Sequence, residues 1–143
     1  MLYFDTSIVV PVVFSEATSE RVETFVRSIP LGELATSHWT RVEFASTLAR
    51  EVRLGNFNQP TADGIERDFD TLISDSFELL LPTADDFETA KAYLRQYESG
   101  LRGGDALHLA IAANRNAKTI YTLDIAMIKA GRMLGLTVER GIH

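Results

Sequence analysis

The chain has 143 residues, a formal charge of −6 from 14 Lys+Arg against 20 Asp+Glu, and no cysteine. That length suits a single domain over residues 1–143 that folds without staples, and the absence of thiols excludes disulfides, thiolate nucleophiles, zinc ribbons and iron–sulfur clusters together. The acidic balance argues against a protein that coats nucleic acid by neutralising phosphates, but not against a nucleic-acid enzyme, whose own site can be acidic and inverted by metal ions.

Leu2-Tyr3-Phe4 reads as a short strand ending at Asp5, with no basic targeting segment around it. Ser7 to Phe14 then predicts a helix in which Pro11 is tolerable only in the first turn. Thr18 to Ile29 carries Val22, Phe25, Val26 and Ile29 at helical spacing. Leu34 to Ser37 is the next strand. A helix follows from about Thr40 to Leu54, stopped by Gly55, with Val42, Ala45, Ala49 and Val52 as its expected apolar stripe and Glu43 about 100° away from it. Gln59-Pro60 opens a helix to about Ile73, and Phe77 to Leu81 is a strand closed by Pro82. Thr83-Ala84-Asp85-Asp86 resembles a capping box and starts a helix expected to share a face through Phe87, Ala90, Leu94 and Tyr97. Gly103-Gly104-Asp105 leads into an apolar helix to about Asn114. Thr119 to Leu123 is a strand ending at Asp124, Ile125 to Leu134 a last helix, and Thr137-Val138 a final strand. No apolar run approaches the roughly 20 residues that span a bilayer, so the expectation is a soluble, cytoplasmic protein.

Strands alternating with helices of this length imply crossover connections: an α/β fold of three layers, α/β/α, around a mostly parallel sheet. In such a sheet the strand C-termini and the following helix N-termini share one edge, where ligands bind. Asp5 and Asp124 end strands, Glu43 lies early in the helix after the second strand, and Asp105 opens a helix that feeds another. For Asp105 alone, capping on the helix dipole and ion binding are both open. Four carboxylates on one edge repel each other unless their pKa values rise or a cation joins them. Oxygen-only ligation then favours a hard ion, Mg²⁺ or Mn²⁺, over zinc, and with it phosphodiester hydrolysis by an activated water.

The stretches YFDTS (Tyr3–Ser7), RVEFAS (Arg41–Ser46), GGDALHLA (Gly103–Ala110) and YTLD (Tyr121–Asp124) resemble, in order and spacing, the motifs of PIN-domain ribonucleases, most closely the toxin half of VapBC-type toxin–antitoxin pairs. The resemblance implies a PIN-like fold, Asp5, Glu43, Asp105 and Asp124 as catalytic, metal-binding acids of a Mg²⁺- or Mn²⁺-dependent RNase, an RNA substrate, a homodimer and a cognate antitoxin. The first and third acids would contact the metal most directly, while Thr6, Ser7 and Thr122 would hold waters or orient carboxylates.

Asp85 and Asp86 follow the same edge logic but are assigned to capping. His108 is assigned to hydrogen-bonded core packing rather than to proton transfer, and Trp39 to packing rather than base stacking. Arg41 and Arg102 flank the motifs and are candidates for RNA phosphates, with surface roles equally open; Arg50 is a weaker candidate. Thr18–Ile29 and Asn58–Ile73 are candidates for an antitoxin groove, with core contact as the plainer alternative. Two other functions remain in view: a catalytically silent PIN-fold module binding RNA or protein, and a metal-dependent phosphatase of a related fold, against which stands Ser7 in place of the second aspartate such enzymes need.

Overall fold

In the computed structural model, which describes residues 1–143, the elements are β1 (Leu2–Phe4), α1 (Thr6–Val13), α2 (Ser19–Ser28), β2 (Leu34–Ser37), α3 (His38–Arg53), α4 (Gln59–Ser76), β3 (Glu78–Leu80), α5 (Ala84–Leu94), a 3₁₀ turn (Tyr97–Ser99), α6 (Gly103–Asn114), β4 (Thr119–Tyr121), α7 (Ile125–Met133) and β5 (Val138–Glu139). The five strands form one sheet in the order β3-β2-β1-β4-β5, every pairing parallel. The three-layer α/β expectation therefore holds.

The pleat of β1 distributes the layers. Successive side chains on a strand point to opposite faces: Phe4 enters a core with Ile8, Val22, Phe44, Phe69 and Ile73, contributed by α1 to α4, while Tyr3 enters a second core with Leu107, Leu109, Ile111 and Met127 from α6 and α7. α7 lies so close to β5 that a β-carbon added at Gly131 would come within 2.4 Å of Val138, so glycine there sets the spacing of that layer. No helix is long and apolar enough to cross a membrane.

Three sequence expectations are corrected. Pro11 lies past the first turn of α1, inside the helix, where its missing N–H removes a backbone bond; the helix ends two residues later. The expected stripe of α3 is not the inward one: Val42 is 57% exposed and Ala45, Ala49 and Val52 are also outward, while Thr40, Phe44 and Leu48 are buried. The reason lies in another helix. Phe44 stacks face to face on Phe69 of α4, centroids 3.8 Å apart, and two phenyl rings bury far more apolar area than alanines and valines can. Phe87 of α5 is exposed, as is Tyr97, which lies beyond the helix in the 3₁₀ turn; α5 stops at Leu94 and its inward face carries Asp86 and Ala90.

Candidate functional site

The chain builds outward from β1 through β2 to β3, then returns to lay β4 and β5 on the other side of β1. The order reverses between β1 and β4, which opens a crevice at their C-terminal ends. Asp5 follows β1 and Asp124 stands just past β4, so both walls of the crevice carry a carboxylate.

Asp5 is buried and accepts three hydrogen bonds, which leaves one acceptor site on Oδ2. Its Oδ1 accepts from Ser7 N at 3.0 Å and Ser7 Oγ at 2.6 Å, and its Oδ2 accepts from Thr122 Oγ1 at 2.6 Å. Each hydroxyl is itself oriented from the β4 side: Leu123 N donates to Ser7 Oγ at 2.8 Å and Asp124 N to Thr122 Oγ1 at 3.1 Å. With its one proton spent on Asp5, each hydroxyl accepts from a backbone N–H, and the carboxylate is held between β1 and β4. Burial raises the Asp5 pKa, and attraction to His108 with the two hydroxyl bonds only partly offsets it.

Asp105 sits in the first turn of α6 on the dry anchor expected from its sequence: Ala106, Leu107, Leu109, Ala110 and Ile111 are all buried. Its pKa is pushed up to about 6, first by burial and then by the charges of Asp124 and Asp5, with His108 and Arg102 pulling the other way. That repulsion places the three aspartates within electrostatic reach of each other. Asp124 caps α7, its Oδ1 accepting from Ala126 N at 2.9 Å and Met127 N at 3.2 Å, which leaves its second oxygen free of the helix. No three His, Asp or Glu side chains come together closely enough to form a metal cage by themselves.

Glu43 is half-buried on α3 and is held at one oxygen. Thr6 Oγ1 donates to Oε1 at 2.6 Å, and His108 Nε2 contacts the same atom. Burial raises the Glu43 pKa, but the hydrogen bond and charge of His108, with Thr6, outweigh it and the net shift is downward. Oε2 lies over Gly104, where an added β-carbon would come within 3.3 Å of it and 3.4 Å of Trp39. A side chain there would press on the Glu43 carboxylate and touch Trp39, so glycine lets both lie close against α6. Trp39 is a packing residue, as expected, its Nε1 donating to Gly104 O at 3.2 Å.

The sequence reading missed two participants. His108 is the buried core residue it was assigned to be, yet it also touches Glu43, and its other nitrogen lies 2.7 Å from Tyr3 Oη. The three-residue spacing from Asp105 puts the imidazole on Asp105's side of α6 and was the available signal; nothing in the sequence marked Tyr3.

Arg102 is exposed at the start of α6, close enough to act on Asp105. Arg41 is exposed on α3, 3.3 Å from His38 Nδ1. Asp86 completes the capping box of α5 and pairs with Arg115 at the far end of α6, a helix length away from Asp105; Asp85 is exposed. The four acids therefore separate from the other helix-opening acids by geometry. Every donor they bring to the crevice is a carboxylate oxygen, the chemistry that could hold a hard divalent cation.

A PIN domain family model matches residues 2–133. No curated protein sequence matches the chain significantly. Among solved structures the chain is similar to VapC20 of Mycobacterium tuberculosis, a sarcin-ricin-loop-cleaving toxin, at 18% identity over 92% of this chain and 95% of that one, with a TM-score of 0.70. It is similar to FitAB bound to an IR36 DNA fragment at 18% identity, covering 100% and 96% of the two chains, TM-score 0.76. A toxin–antitoxin complex from Klebsiella pneumoniae matches at 21% identity over 100% and 99%, TM-score 0.69.

Proposed function

The chain belongs to the PIN domain family, and from that premise we propose that it is a cytoplasmic, Mg²⁺- or Mn²⁺-dependent endoribonuclease, the toxin of a VapBC-type toxin–antitoxin pair, acting as a homodimer. The observation that carries this reading is Asp105: a carboxylate mounted on a rigid helix, with no hydrogen-bond partner in the chain, whose pKa is raised to about 6 by burial and by Asp124 and Asp5. Repulsion of that kind is relieved when a cation joins the group.

A divalent ion bound there would supply Lewis acidity to a phosphoryl oxygen and lower the pKa of an attacking water. Asp5, Asp105, Asp124 and Glu43 would hold it. Ser7 and Thr122 fix the plane of Asp5, and Thr6 fixes Glu43, so the oxygens are oriented before the ion arrives. Arg102, beside Asp105, and Arg41 would take flanking phosphates of the RNA.

An antitoxin partner is supported by an open apolar groove of about 300 Å³ between α1, α2 and α4, lined by Val12, Val26, Ile29, Leu31 and Leu72, with Leu31 standing 82% exposed on its rim. Val26 and Ile29 come from the Thr18–Ile29 segment and Leu72 from Asn58–Ile73, segments for which the sequence leaves groove and core contact both open. Similarity to a toxin–antitoxin complex supports the same partner.

The test is RNA cleavage by the purified chain, freed of any partner. Cleavage should require Mg²⁺ or Mn²⁺, stop with EDTA and vanish in Asp5→Asn while the fold, followed by circular dichroism, survives. Cleavage indifferent to EDTA contradicts the metal reading, and failure to cut any RNA favours a silent binding module.

A further inference from the structure

Behind Glu43 runs a chain of buried polar groups that the proposed reaction does not use. His108 is 1% exposed; its Nε2 meets Glu43 Oε1, and its Nδ1 lies 2.7 Å from the hydroxyl of fully buried Tyr3. Tyr3 Oη in turn donates to Ser37 Oγ at 2.9 Å. One ring nitrogen meets the phenol and the other the carboxylate, so the imidazole bridges Tyr3 and Glu43. No buried side-chain polar atom in the chain lacks a partner, and this line of groups is satisfied from Ser37 to Glu43.

The donors converge on one atom. Thr6 and His108 both reach Oε1, whereas Oε2 accepts no hydrogen bond from the chain and stands against Gly104, next to Asp105. A free glutamate spreads over three rotatable bonds, and an ion that must order it loses affinity to that entropy. We propose that His108 and Tyr3 are positioning residues for Glu43: the phenol locks the imidazole, the imidazole and Thr6 pin Oε1, and Oε2 is thereby presented to the carboxylate crevice. The pinning stands on geometry alone, while its purpose rests on the reading of Glu43 as a ligand of the divalent-ion site.

Two measurements test these parts separately. In the metal-free chain labelled with ¹⁵N-histidine, the ring ¹⁵N signals of His108 should move in Glu43→Gln and again in Tyr3→Phe. In a Mn²⁺ titration followed by electron paramagnetic resonance, His108→Leu should weaken binding about tenfold, the lower end of the range seen when partners behind a metal ligand are removed, and Tyr3→Phe, one step further back, should weaken it measurably but less. His108→Gln, which restores an N–H donor, should recover most of the loss. A purely structural histidine would lower thermal stability in all three variants and leave Mn²⁺ affinity alone, and that pattern overturns the proposal. Should His108→Leu fail to fold, Tyr3→Phe, which removes one oxygen, decides the same question. If the parent chain takes up no Mn²⁺, the proposed function fails, and the pinning is decided by the ring signals: unchanged in Glu43→Gln, they overturn it.

Discussion

Asp86 and Asp105 hold the same place in two packed helices, each the third residue of its element, and the helix dipole favours both alike. Their surroundings are opposite. Asp86, 1% exposed, accepts from Thr83 N at 2.8 Å, from Asn114 at 2.8 Å and from Arg115 at 2.9 Å on both oxygens. Burial raises its pKa, but Arg115, Thr83 and Asn114 outweigh burial and the net shift is downward. Asp105 accepts no hydrogen bond from the chain, and burial with the charges of Asp124 and Asp5 outweighs the pull of His108 and Arg102, so its pKa goes up to about 6. Position on a helix therefore does not decide what an acid is for; the groups brought to it from elsewhere in the chain do. One carboxylate is satisfied within the fold; the other stands among like charges.

Substitution should separate the two acids cleanly. The largest effect is on activity: Asp105→Asn should lower metal-dependent RNA cleavage by roughly 100-fold or more, since several kcal/mol of metal-based stabilisation depend on that oxygen, while metal-free thermal stability rises because a repelled charge is gone. Asp86→Asn should reverse the pattern. Removing one member of a buried ion pair strands Arg115 and costs about 3 kcal/mol of stability, measurable by urea unfolding, with cleavage per folded molecule unchanged. A fall in activity in Asp86→Asn without unfolding would break the contrast.

Proton linkage sharpens it. The folded pKa of Asp105 lies above its unfolded value, so stability is fullest below the ordinary carboxylate range and is lost as pH rises towards about 6; Asp5, also raised, adds in the same direction. Asp86 is lowered, so its contribution is present above the ordinary range and fades as pH falls through the depressed value. Metal-free unfolding between pH 4 and about 6 should therefore show a destabilising trend with pH that flattens in Asp105→Asn and persists in Asp86→Asn, an interval set by the raised value. The smallest effect belongs to the packing around the crevice: Trp39→Phe loses the bond to Gly104 O and should cost about 1 kcal/mol in urea unfolding.

Much of this was legible from residues alone. Asp5, Glu43, Asp105 and Asp124 each sit where a parallel sheet sends its functional edge, and the uninterrupted apolar run after Asp105 announced a buried helix. What escaped depends on partners distant in sequence. The outward Val42 stripe and the inward Phe44 stripe of α3 are both helical in period, and only Phe69 on α4, by stacking on Phe44, chooses between them. The role of His108 rests on Tyr3, 105 positions away. The satisfaction of Asp86 rests on Asn114 and Arg115, which no local pattern connects to a capping box.

The central claim, that Asp5, Asp105 and Asp124 together with Glu43 surround a place for a divalent cation, is tested most directly by anomalous diffraction from Mn²⁺-soaked crystals. The account predicts a peak in the crevice beyond β1 and β4, within coordinating distance of oxygens from Asp5 and Asp105, and its loss in Asp105→Asn. A parent crystal with no peak beside those oxygens, or a Mn²⁺ ion bound only elsewhere on the molecule, would contradict it.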